Sequence, residues 1–338
     1  MERKHWVDLI KGVSMLVVLI AHTDIYYTGN MLGEYYLSLM NALFVFFAMS
    51  GYLMYKEGQA IDLCHKLKGI AKGIIFPYFI FMTAIYVPKH LAHGDGISVM
   101  QMLTDIAWRG ESWFVTALVV AEVIFSLVVW ASRGRTVWIV LCAVTGLCLS
   151  ALLPDAWLSR LPWHADNGLQ ALLFLGAGFL YHKYERQLSL LQRPLAFTLL
   201  TLAVILVKWT EVEVEEIDLV IYPIIVTSYP AFVTDFVVST LWVVVLFKQL
   251  PRCRALEWIG QHSLVYYFIC GGVPLTVSRL ASAIGMTFES NALFLAPVII
   301  AVCAVSTGIV YLIYRYVPFV TGKFKDGSKN SDFNILIF

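Results

Sequence analysis

The stretch Trp6–Tyr27, WVDLIKGVSMLVVLIAHTDIYY, decides the fold class. A helix needs about 20 apolar residues to cross a hydrocarbon core of about 30 Å, and this stretch supplies them. It also carries Asp8, Lys11 and His22. Ionisable groups within a span are costly, so they mark function when they face protein or water rather than lipid. At about 100° per residue, the eleven steps from Lys11 to His22 return to within about 20° of one direction and climb about 16 Å. The spacing predicts one polar stripe, with a cation low and an imidazole high. Asp8 and Lys11, three residues apart, also read as a plain ion pair at the membrane boundary.

The whole chain agrees with that segment. Its residues are 59% hydrophobic and 14% charged, with a mean hydropathy of +0.76. Soluble domains are nearer half apolar and a quarter charged, so this is an integral membrane protein. The first segment has no small-residue cleavage site, and its interior charges do not suit a signal peptide, so it reads as a mature span. A net charge of +1 argues against a nucleic-acid partner. The six cysteines, Cys64, Cys142, Cys148, Cys253, Cys270 and Cys303, lack metal-type spacing and read as small core residues, with no metal or disulfide framework.

Apolar segments recur at 6–27, 36–55, 74–91, 113–131, 136–153, 166–182, 194–209, 232–248, 256–279 and 291–316. They predict an all-α polytopic protein with about ten transmembrane helices. Basic residues crowd alternate connections: Arg3 and Lys4; Lys56, Lys66, Lys68 and Lys72; Arg133 and Arg135; Lys183, Arg186 and Arg193; Lys248, Arg252 and Arg254; Lys323, Lys325 and Lys329. The opposite connections hold only Lys89, Arg109, Arg160 and Arg279, so the positive-inside rule puts both termini in the cytoplasm. One transmembrane domain over 1–320 is followed by a short cytoplasmic tail, 321–338. The acidic run Glu211–Asp218 reads as a solvated loop, because like charges stay wet. The stretch after it is broken by Pro223 and Pro230 and reads as a re-entrant or interfacial piece.

His22 heads the residues able to do chemistry, because a neutral imidazole takes a proton from a hydroxyl and returns it. In the second span Ser50 and Gly51 interrupt an aromatic wall, and Gly51 reads as a point of close helix approach. Lys68 and Lys72 are four apart at the mouth of the third span and make a small anion site for phosphates; the plainer reading is positive-inside anchoring or contact with lipid head groups. In the fourth span Glu122 lies eleven residues past Glu111, near the bilayer middle, where a carboxyl must pair, protonate or line a wet cavity. Trp113 stands at the outer interface as a belt residue or a platform for substrate.

Taken in order, DLIKGVSMLVVLIAH (8–22), FVFFAMSGYL (44–53), the basic stretch KLKGIAKGIIFPY (66–78) and SWFVTALVVAE (112–122) resemble the membrane-bound acyltransferase-3 family. The lysine form of the first motif is most similar to the branch of fucose 4-O-acetylase-like sugar acetyltransferases. The resemblance implies a ten-helix fold in the bacterial cytoplasmic membrane. It implies transfer of an acyl group, usually acetyl, from a coenzyme A thioester to a hydroxyl of a surface glycan or its lipid-linked precursor. By position, His22 takes the family's first-helix histidine and Lys11 its basic partner. Lys68 and Lys72 fall where residues associated with the acyl-CoA donor lie, and Glu122 and Trp113 fall in the fourth-helix motif. His22, Lys11 and Glu122 are therefore the expected catalytic residues, Lys68 and Lys72 the donor-binding ones, and Trp113, Ser50 and Asp8 the substrate-binding ones. The donor's pantetheine arm is expected along the Lys11–His22 stripe, with Lys11 or Ser50 as oxyanion donors.

GQHSLVYYFIC (260–270) departs from the family, whose late segment commonly ends in Tyr-x-x-His, because Cys270 holds the final position. The late histidine's role is not carried over, and an acyl thioester on Cys270 stays open. The acyltransferase is expected to act without an attached hydrolase domain, among membrane lipid, and a homo-oligomer is compatible with the sequence. Two other classes stay open. One is a transporter or flippase for a glycan or small anion, with Lys11, His22 and Glu122 as a proton relay, against which the absence of a visible repeat argues. The other is a non-catalytic relative within a polysaccharide assembly.

Overall fold

The computed structural model describes residues 4–30, 33–93, 96–154, 157, 161–213, 219–222 and 224–323. In chain order its helices are α1 (His5–Thr28), α2 (Gly33–Met54), α3 (Leu63–Ile70), α4 (Phe76–His93), α5 (Val99–Thr104), α6 (Trp113–Ser132), α7 (Thr136–Leu152), α8 (Ala165–Lys183), α9 (Glu185–Leu188), α10 (Pro194–Glu213), α11 (Tyr229–Gln249), α12 (Arg254–Gln261), α13 (Ser263–Ile269), α14 (Gly272–Ala283) and α15 (Leu295–Tyr316). The chain falls into two compact units, one formed by Met1–Phe46 and Val243–Val317, the other by Phe47–Trp242 and Pro318–Phe338.

Among the described residues, six helices are long and apolar enough to cross a membrane: α1, the Leu63–Pro88 run of α3 and α4, α6, α10, α11 and Ala292–Tyr316. The pair α13 and α14, bent by 50°, makes a seventh if counted as one broken span. The protein is therefore a helical, multi-pass membrane protein. Helices stand at all ten stretches that hydropathy marks. Length and apolarity qualify fewer of them, because α7 and the apolar part of α2, Asn41–Met54, fall short of a full crossing and α8, though 19 residues long, is not apolar enough.

In the first unit, α1 starts after Lys4 and ends where Gly29 turns left-handed at φ 81° and its N–H caps the Ile25 carbonyl. Glycines set its closest packing. A Cβ on Gly12 would overlap the Leu256 carbonyl, and one on Gly260 would overlap the Asp8 carbonyl, so α1 and α12 meet backbone to backbone. Lys248 lies 5.2 Å from the Trp6 ring centre. Towards the other end of α1, Tyr27, Ala281 and Val298 form a small core with Phe288 and Leu295 around it.

In the second unit, Gly51 approaches the Leu175 carbonyl and Gly178 the Ala48 carbonyl, which seats α8 directly on α2, as the sequence predicts for Gly51. Phe47 packs on Phe114 and Phe174, with ring centres 4.7 and 5.9 Å apart. A π-helical turn, Ala71–Ile75, joins α3 to α4. The expected re-entrant or interfacial piece contains a short antiparallel pair of strands, Leu219–Ile221 with Ile224–Val226, because its β-branched residues favour extended backbone; Pro223 lies outside the described residues. The acidic run divides likewise. Glu211 and Glu213 extend α10, and 214–218 lie outside the described residues. The tail beyond Lys323 is also outside them, while Gly322 packs on the Lys72 carbonyl. The cysteines are free, and of the six only Cys270 is buried, which corrects their reading as core residues.

Candidate active site

In the first unit the polar stripe of α1 is present. Asp8 and Lys11 are 4% and 2% exposed, with Lys11 Nζ 3.8 Å from Asp8 Oδ1. Gln261 Nε2 donates to Asp8 Oδ2 at 3.2 Å, so α12 orients the carboxylate. Higher on the helix, His22 Nδ1 donates to the Val18 carbonyl at 2.8 Å. A carbonyl only accepts, so Nδ1 carries the hydrogen and Nε2 of the neutral ring holds the free lone pair, which is the form a general base needs. Cys270 Sγ stands 4.0 Å from that nitrogen.

The second unit holds Glu122, 1% exposed on α6. Lys66 Nζ donates to its Oε2 at 2.8 Å, and the Ser50 hydroxyl donates to its Oε1. Of the fates open to a carboxyl at this depth, Glu122 adopts pairing. Ser50 directs its proton to Glu122 rather than outward.

Lys66 also lines a cavity of about 750 Å³ in this unit, together with Lys56, Lys68, Lys72, Arg133 and Lys183. Lys68 and Lys72 are both exposed, and the turn at 71–75 keeps them on the same opening. The one carboxylate on the wall, Asp62, accepts the His65 N–H at 3.0 Å and caps α3. Arg133 has φ 51° and Gly134 φ 67°, a left-handed pair that reverses the chain between α6 and α7. A non-glycine residue in that region is costly and is tolerated where the fold fixes it. Lys183 donates to the Gly134 carbonyl at 2.8 Å and to Thr136 at 3.0 Å, tying α8 to that turn. Among the described residues the wall holds six cations, of which Lys66 is paired with Glu122, and one carboxylate; that excess of positive charge suits a polyanion, and lysines with an arginine suit phosphate in particular.

Trp113 is half-buried and stacks on Tyr222, ring centres 4.8 Å apart and 3° from parallel, so one of its faces is covered. Beside it, His164 Nε2 donates to the Gly110 carbonyl at 3.0 Å, and burial pulls its pKa below the usual histidine value.

Several polar residues escape a sequence reading. Lys56, Lys66, Arg133 and Lys183 join Lys68 and Lys72 on the cavity wall, although their only signal was membership of the basic connections. Asp24, fully buried two residues past His22, is hidden by its apolar neighbours. Lys208 lies 2.8 Å from Glu211 and 2.7 Å from Asp235, and Ser239 donates to Asp235 at 2.7 Å. Glu211 is thus held inside the unit, not solvated with a loop.

A family model described as an acyltransferase domain, Acyl_transf_3, matches residues 4–315. No curated protein and no solved structure matches the chain.

Proposed function

The chain belongs to the acyltransferase-3 family, and on that premise we propose that it is an acyl-CoA-dependent O-acyltransferase of the bacterial cytoplasmic membrane. It moves an acyl group, acetyl first among them, to a hydroxyl of a cell-surface glycan or its lipid-linked precursor. The ten-span arrangement with both termini cytoplasmic is part of this reading, as is closeness to the fucose 4-O-acetylase-like branch. The observation that carries it is the cavity walled by six cations. A coenzyme A thioester presents a diphosphate and a 3′-phosphate, and this wall meets the demand of such a donor with charge on several sides.

Each residue then has a role. Lys68 and Lys72, with Lys56 and Arg133 beside them, hold the donor's phosphates. Glu122 is a positioning residue that fixes Lys66 on the cavity wall, with Ser50 holding the carboxylate in place. His22 takes the proton of the acceptor hydroxyl at Nε2 as that oxygen attacks the acyl carbon. It returns the proton to the departing sulfur, so its protonation state is restored after each turnover. Asp8 and Lys11 form a buried charge pair on the same helix, with Lys11 about 16 Å from His22, and stand along the path of the donor's pantetheine arm. Trp113 offers its uncovered face to the acceptor sugar. The transporter reading requires Glu122 as a mobile proton carrier, whereas both its oxygens are engaged by Ser50 and Lys66.

Steady-state transfer by Lys68→Ala/Lys72→Ala tests the donor assignment. A raised KM for acyl-CoA with kcat nearly kept supports it, since binding common to ground and transition states affects KM alone. Unchanged KM contradicts it.

A further inference from the structure

The Cys270 thiol is 5% exposed and 4.0 Å from His22 Nε2. The imidazole is oriented by the Val18 carbonyl, which leaves Nε2 as the acceptor facing the sulfur. A nucleophile in reach of a base, with the base held by a third group, is the arrangement of covalent catalysis, and a thiol needs less activation than a hydroxyl. The backbone adds a second, independent feature. Cys270 ends α13 where the chain bends by 50° into α14, and two glycines follow it. A Cβ on Gly272 would meet nothing within 4 Å, and one on Gly271 would meet only the Tyr26 hydroxyl, at 3.8 Å. Gly272 is exposed, so the chain just past the thiol reaches the surface of this unit.

We infer that Cys270 is the acyl-carrying nucleophile of the reaction, with His22 as its base, so that transfer proceeds in two steps through a Cys270 thioester. The inference rests on the acyltransferase reading above. In the first step the thiol proton passes to His22 Nε2 and Sγ attacks the acyl carbonyl. The carbon–sulfur bond to coenzyme A breaks, and the leaving thiolate takes the proton from His22. In the second step the acceptor hydroxyl gives its proton to Nε2 and its oxygen attacks the Cys270 thioester. The carbon–Sγ bond breaks, and the cysteine thiolate recovers the proton. Nothing is oxidised or reduced. The first exchange, thioester for thioester, keeps the acyl group activated. Donor and acceptor need not be bound together, so the kinetics are ping-pong.

The test incubates purified full-length protein with radiolabelled acetyl-CoA, and in parallel with a labelled long-chain acyl-CoA, first without acceptor and then with the glycolipid fraction. Wild type is expected to take up label that neutral hydroxylamine releases and that peptide mapping assigns to Cys270. Cys270→Ala is expected to lose both label and transfer. Mapping on the wild-type chain keeps the result independent of how the variant folds. Transfer by wild type with no label on Cys270, and double-reciprocal lines that intersect instead of running parallel, overturns the thioester and leaves the acyltransferase reading standing. Label on Cys270 without transfer supports the thioester and overturns the acceptor. Neither label nor transfer from either donor overturns both.

Discussion

The Lys66–Glu122 pair is a residue-scale feature with a large energetic consequence. Glu122 is 1% exposed, so removing its cation leaves a buried charge, which costs about 3–5 kcal/mol. Lys66→Ala should therefore lower the thermal midpoint sharply, and Lys66→Ala/Glu122→Gln should recover part of the loss, because the double variant has no buried charge to compensate. Thermal unfolding of the detergent-solubilised variants reads both. Equal midpoints for the single and double variants would mean that the pair is not coupled. His164 gives a pH prediction. Burial lowers its folded pKa, so the unfolded chain binds the proton more readily, and stability is full above about pH 6.5 and declines as pH falls below it. His164→Gln, which keeps a donor for the Gly110 carbonyl, should flatten that decline in thermal scans between pH 7 and pH 5. At this scale the sequence was legible where a charge stood inside an apolar run, as with Lys11, His22 and Glu122. Asp24 and Asp235 were as deeply buried but sat near span ends, where a carboxylate looks ordinary, and a sequence names no partner for Glu122 in a segment 56 residues away.

At the scale of elements, helix contacts are set by glycine. Gly12→Ala and Gly260→Ala each place a methyl on a carbonyl of the neighbouring helix, as does Gly178→Ala on α2. Helices forced apart in a close-packed membrane interface lose van der Waals contact along their length, and overpacking of this kind costs about 1–3 kcal/mol. Each variant should give less monodisperse protein on size exclusion, whereas Gly58→Ala, in open space but at φ 70°, should cost only about 1–2 kcal/mol of local strain. Gly51 could be foreseen as a contact because it interrupts an aromatic wall. Gly12 and Gly260 could not, since each looks like an incidental small residue until the Asp8 and Leu256 carbonyls stand opposite them. The strands at 219–226 were not foreseen for a related reason. Pro223 interrupts a helical pattern but does not choose between an irregular piece and two short strands, and Pro230 sits in the first turn of α11, where a proline is tolerated.

Across the whole molecule, a helix stands at each stretch that hydropathy marked and the basic connections suggest an orientation, because both follow from average composition over many residues, whereas the short helices α3, α5 and α9 carry no such signal. The cavity was only partly foreseen, since Lys68 and Lys72 are neighbours on one turn while Arg133 and Lys183 come from connections far along the chain. The proposed orientation, with both termini cytoplasmic, predicts that single cysteines introduced at Lys4 and at Lys323, in a chain whose native exposed cysteines are replaced by serine, resist an impermeant thiol reagent in intact cells and react after lysis; reaction in intact cells would overturn it. The central claim is acyl transfer that depends on His22. It is tested most directly by incubating membranes that contain wild type or His22→Ala with labelled acetyl-CoA and counting label in the glycan and glycolipid fractions. The account predicts label with wild type and a fall of about 10²–10⁴-fold with the variant at equal protein level. Equal labelling by both proteins would contradict it.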